Sequence, residues 1–135
     1  MLGQIDSVNR VVLADMEAGA GTLTRMAEGS LDLALLITEP SAKSIEVARR
    51  AAQILAERKV APMLVIANKV RGDEDLEMIR QALGVAEVFA VPDDDEVLRA
   101  DRDGFSAYDT APNSPAVLAV GELARTLTAR FTMAP

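Results

Sequence analysis

The sequence predicts an α/β fold, a three-layer arrangement in which a mostly parallel sheet of about four strands carries helices on both faces. Three observations predict it. Short β-branched or apolar runs alternate with longer stretches of helical periodicity, the pattern of repeated βα units. The short runs are apolar nearly throughout, as strands buried on both faces require. The chain has 135 residues, 50% hydrophobic and 26% charged; that suits a single domain with its own core and is too apolar for a disordered chain.

The expected strands are residues 10–15, 33–38, 62–68 and 88–91. The clearest helix follows Pro40-Ser41. Ser41 can cap free N–H groups there, and Ile45, Ala48, Ala52 and Leu55 recur at helical spacing beside Glu46, Arg49, Arg50 and Gln53. The two arginines read as a solvated face. A second helix opens on Asp73, Glu74 and Asp75, carboxylates that suit the positive end of a helix dipole. It carries Leu76, Ile79 and Leu83 and stops at Gly84. A third begins at Ser114-Pro115, with proline in the first helical position, and aligns Val117, Val120, Ala124, Leu127 and Phe131 in one stripe. Between them, residues 92–115 form the one long segment weak in apolar periodicity. Its run Asp93-Asp94-Asp95-Glu96 has the oxygens a divalent cation wants, but a helix N-terminus explains it more cheaply. Phe105 and Tyr108 are expected to pin this segment to the core.

Charge and composition narrow the function. With 21 acidic against 14 basic residues and a net charge of −7, the surface repels phosphate backbones and anionic lipid. Nucleic-acid and membrane roles are therefore not expected. The chain has no cysteine and no histidine, which removes disulfides, thiolate nucleophiles, imidazole bases and the usual zinc ligands. No apolar run approaches the ~20 residues of a membrane span, and no secretory signal is recognisable. A cytoplasmic location is expected.

The most informative segment is Val11-Val12-Leu13-Ala14-Asp15-Met16-Glu17-Ala18-Gly19. It reads as a buried strand delivering an acidic residue to the sheet edge where open α/β folds bind ligands. Gly19 and Gly21 either form an anion nest or permit a tight strand-to-helix turn, and the turn is favoured. Asn68-Lys69 stands at another strand end, where the amide offers both donor and acceptor to a base or bonds the loop backbone. No G-x-x-x-x-G-K-[ST] phosphate-binding loop occurs anywhere in the sequence.

In their order and spacing, these residues resemble the carboxy-terminal half of the MinD/ParA-like P-loop ATPases, and most closely the CooC-type accessory ATPases of carbon monoxide dehydrogenase maturation. Asp15 to Gly19 is similar to that family's switch II segment. Thr38-Glu39-Pro40-Ser41 resembles the next strand end, Asn68-Lys69 the adenine-reading strand, and Val91-Pro92-Asp93 the adenine-side loop. The resemblance implies that Asp15 helps to hold Mg²⁺ through water, that the Gly19 N–H faces a γ-phosphate, and that Asn68, Lys69, Pro92 and Asp93 border the base. ATP and Mg²⁺ follow as ligands only where a partner supplies the phosphate loop. The expectation is a partial ATPase domain without hydrolysis of its own, acting as an interaction module. The alternative is a nucleotide-binding subunit completed in trans; a carboxylate-based hydrolase ranks last. A sheet lacking the phosphate-loop strand leaves an edge or a helix face uncovered, so a homodimer or a complex with a protein partner is expected.

Overall fold

The computed structural model describes residues 11–16 and 20–132. Among them the chain runs α1 (Ala20–Leu23), β1 (Ala34–Thr38), α2 (Ala42–Glu57), β2 (Met63–Val70), α3 (Asp73–Leu83), β3 (Val88–Pro92), α4 (Asp95–Asp103), α5 (Ala107–Thr110) and α6 (Pro115–Thr132). The strands form one parallel sheet in the order β1-β2-β3. Parallel neighbours cannot be joined by a tight turn, and α2 and α3 supply the two crossovers.

Strand alternation divides the core. Leu36, Met63, Val65, Ala67 and Val88 face α2 and α3, where Ile45 and the fully buried Ile79 meet them. Leu35, Leu64, Ile66, Phe89 and Val91 face the other way, toward Ala116, Ala119, Leu123 and Leu127 of α6 and Val97 of α4. Helices on both faces of a parallel sheet are the α/β arrangement that the alternating pattern implies.

Local chemistry sets the helix ends. Ser41 is the N-cap of α2, its hydroxyl accepting from the Ser44 N–H at 3.3 Å. Three acidic residues open α3, and Gly84 closes it in the left-handed region at φ 64°, a conformation that glycine adopts without a Cβ clash. On the exposed flank of α2, Glu46 accepts from both Arg49 and Arg50, which hold its carboxyl below the ordinary carboxylate range.

Three expectations need correction. Residues 11–16 form no strand, and Val11, Val12 and Leu13 are 59%, 47% and 81% exposed. A single extended run gains little without a neighbour to pair with, and among the described residues no strand lies beside it. The sheet accordingly has three strands among those residues, not four. The helix N-terminus expected at Asp93-Asp94-Asp95-Glu96 is present as the start of α4, which is weak in apolar periodicity because Val97 and Ala100 are its main core-facing apolar residues. Its ends are set by Asp94, whose side chain accepts from the Glu96 N–H, and by Gly104 at φ 73°. Phe105 and Tyr108 do not pin the segment to the core; they are 65% and 75% exposed. The buried line of α6 is Ala116, Ala119, Leu123 and Leu127, while Val120 is half-exposed and Ala124 exposed. Small side chains on the sheet-facing line let the helix approach closely, and the stripe turns by about one position.

Candidate functional site

The carboxyl ends of β1, β2 and β3 converge on one crest, and open parallel sheets bind ligands outside such ends. Pairing places Thr38 beside Ala67 and Asn68 beside Val91, and then skips one residue to set Val70 against Pro92. The skipped residue is Lys69, with φ 58°, in the left-handed region that side chains other than glycine, asparagine and aspartate rarely occupy. Lys69 is thus the extra residue of a β-bulge, a device that bends a strand and re-aims its side chains. The bulge also flips the alternation: Val70 returns to the Ala67 face and is buried there.

Two ion pairs cross the crest. Lys69 Nζ lies 2.7 Å from Glu39 Oε1, linking the ends of β2 and β1; that hydrogen bond to Glu39 raises the lysine above its ordinary pKa. Arg71 Nε lies 3.1 Å from Asp93 Oδ2, linking β2 to β3. The Asp93 N–H donates to the Val70 carbonyl at 2.9 Å, and the Arg71 N–H to Asp75 Oδ2 at 2.9 Å. Both ion pairs are exposed, so they steer geometry more than they stabilise it. Beside them Thr38 is buried, and its hydroxyl sits 3.1 Å from Ser44 Oγ, which also accepts from the Glu39 N–H at 2.9 Å. The β1–α2 turn is therefore held by side chains.

Asp94 ties the crest to the last helix. One carboxylate oxygen accepts from the Glu96 N–H at 3.0 Å and the other from the Ala116 N–H at 2.9 Å. The Ala116 bond, foremost, pulls the Asp94 carboxyl below its ordinary value of 3.8. One side chain thus caps α4 and meets the first turn of α6, where free N–H groups favour an anion.

The structure brings Asn68, Lys69, Pro92 and Asp93 together on neighbouring strand ends. Asn68 is half-buried, and among the described residues its side chain makes no hydrogen bond to the loop backbone. Its amide is left with a donor and an acceptor side by side. Asp15 is exposed on the stretch 11–16, which forms no strand. Gly19 lies outside the described residues. Among the described residues no cluster of three or more acidic groups is arranged to hold a metal ion, and no helix is long and apolar enough to cross a membrane. Sequence reasoning named Glu39 only as part of the Thr38–Ser41 strand end, with no partner for it, and did not single out Arg71. Each is an ordinary charged residue after a strand, and its partner is distant in sequence.

No family model matches the chain. An uncharacterized ATP-binding protein of Methanocaldococcus jannaschii is 34% identical over 96 residues, 69% of this chain and 37% of that protein. The carbon monoxide dehydrogenase accessory protein CooC of Rhodospirillum rubrum is 28% identical over 102 residues, 75% of this chain and 39% of that protein. The chain therefore spans less than half the length of the curated relatives it matches. Among solved structures, the MinD cell division protein of Aquifex aeolicus superposes with a TM-score of 0.60 at 23% identity, over 73% of this chain and 44% of that one. A ParA family ATPase from Chlorobium tepidum TLS gives 0.50 at 23% identity, over 67% and 39%. These two likenesses concern the fold. By sequence and by fold, this chain is related to the MinD/ParA-like, CooC-related P-loop ATPases and corresponds to a part of their length.

Proposed function

We propose that these residues are the base-side portion of a CooC/MinD-like ATPase unit that acts as an interaction and regulatory module and does not hydrolyse ATP by itself. One observation carries the reading: a formed crest with an unengaged Asn68 amide stands in a sequence that contains no G-x-x-x-x-G-K-[ST]. That loop is what supplies the backbone N–H cradle and the lysine that hold phosphates, and residues 1–135 do not contain it. Asn68 and Lys69 border the base, with Pro92 and Asp93 on the opposite strand end; Asp15 and Gly19 would serve Mg²⁺ and γ-phosphate only in a completed site.

A second reading, a nucleotide site completed in trans by a P-loop-bearing chain, draws support from β1. Among the described residues this strand pairs with β2 alone. Its Ile37 is 62% exposed, whereas Ile66, its register neighbour, is 3% exposed. An apolar edge with no charged guard is a place for another strand to add; a second copy of this chain is the other candidate to cover it.

Calorimetric titration with Mg-ATP and Mg-ADP, alongside a phosphate-release assay, tests both readings. The module reading expects no phosphate release from the chain alone. Micromolar binding that disappears in Asn68→Ala, with the melting temperature unchanged, supports the site completed in trans. Phosphate release by the isolated chain above a no-protein control sinks both.

A further inference from the structure

Two of the chain's four aromatic side chains stand in solvent at the α4–α5 corner. Phe105 is 65% and Tyr108 75% exposed, and Leu98 on α4 is 49% exposed. The backbone beneath them is fixed. The Phe105 N–H donates to the Ala100 carbonyl at 2.9 Å, Gly104 turns in the left-handed region, and the Asp109 and Thr110 N–H groups donate to Ser106 O at 3.1 and 3.0 Å. α4 and α5 pack against each other. Large apolar side chains displayed on a rigid corner are the anchors that interfaces use, because little ordering entropy remains to be lost on binding.

The charge around them selects the partner. From Asp93 to Thr110 there are seven carboxylates and two arginines. Glu96 is paired with Arg99 at 2.8 Å, Asp93 with Arg71 at 3.1 Å, and Asp94 with helix N–H groups, which leaves Asp95, Asp101, Asp103 and Asp109 as the carboxylate rim beside Arg102. Most of the chain's net negative charge lies in this segment. A second copy would bring like charge to like, and phosphate or anionic lipid would be repelled. We propose that residues 98–108 form a docking surface for a basic protein segment, one carrying an apolar anchor flanked by lysine or arginine. The anchor covers Phe105 and Leu98, the flanking cations meet the carboxylate rim, and an arginine can lie over the Tyr108 ring. Asn68 and Lys69 take no part, so the surface works whichever way the nucleotide titration falls.

Tyr108 is the sole tyrosine and there is no tryptophan, so tyrosine emission reports this surface alone. The probe is a synthetic peptide of leucine, phenylalanine, lysine and arginine without tyrosine or tryptophan. One control replaces its cations by glutamate, and another its apolar residues by serine. The expected result is a saturable change in Tyr108 emission with protection from acrylamide quenching, weakening as salt rises. Both controls and Phe105→Ser should bind about tenfold weaker or worse, and Asn68→Ala should bind as the parent does. Leu98→Ser gives the same reading if circular dichroism shows Phe105→Ser to be unfolded. Unmoved Tyr108 emission, equal binding by either control, or unchanged affinity in both surface variants overturns the proposal. So does protection of Tyr108 that grows with protein concentration alone, which would assign the surface to a second copy.

Discussion

Lys69 shows how much one residue can set. Its positive φ makes the bulge, the bulge returns Val70 to the core, and the same backbone turn carries the ammonium group to Glu39. A β-branched side chain is worse than lysine in the left-handed region, and glycine is free of the clash. Lys69→Val is therefore expected to melt below the parent. Lys69→Gly should melt no lower, since the exposed ion pair it loses contributes little; thermal melts of the two variants check this, and a lower melt for the glycine variant would remove strain as the explanation. Asn68 was visible in the sequence as an amide at a strand end. Its freedom from the loop backbone was not, because hydrogen bonding depends on where the bulged strand points the side chain.

At the scale of elements, α4 is held by its ends more than by its core face. Asp94 satisfies an N–H of α4 and one of α6, so Asp94→Ala removes two bonds with one substitution. A cap of this kind is worth about 1 kcal/mol, and the urea midpoint should fall accordingly. Because the folded state holds the Asp94 carboxyl below 3.8, its contribution is fully present above that unfolded value and is lost as pH falls through the lower folded one. The stability gap between parent and Asp94→Ala should therefore narrow in acid; a gap that stays constant down to strongly acidic pH would show that the carboxylate charge is not what holds the two helices. The acidic run was readable as a helix N-terminus. That its second residue also reaches α6, 22 positions later, was beyond any local pattern.

Across the described residues, apolar clusters flank β2 on both faces, while β1 is less fully covered: Leu35 packs on the α6 side, but Ile37 on that same face is 62% exposed. Ile79, fully buried against β2, should cost about 2–5 kcal/mol when cut to alanine. Ile37→Ser, on the exposed side of β1, should change monomer stability by no more than about 0.5 kcal/mol. Chemical denaturation of both variants checks the contrast, and a large loss at Ile37 would mean that a partner already covers it in solution. Light scattering on Ile37→Ser adds the assembly test: if copies or partners add at this edge, the substitution should shift the mass toward monomer.

The sequence by itself determined the α/β class, three strands and three major helices to within a residue or two, and the Ser41, Gly84 and Pro115 boundaries. Those features are written in local periodicity and capping chemistry, which need no knowledge of distant residues. It also carried the relationship to CooC and MinD, through short motifs at strand ends. Only the tertiary structure decided that residues 11–16 form no strand, that Ile37 near the end of β1 is left exposed, and that Phe105 and Tyr108 face solvent. The physical reason is the same in each case. An apolar residue is buried only where another element arrives to cover it, and that arrival is a property of the assembled sheet and helices, not of the residue's neighbours in sequence.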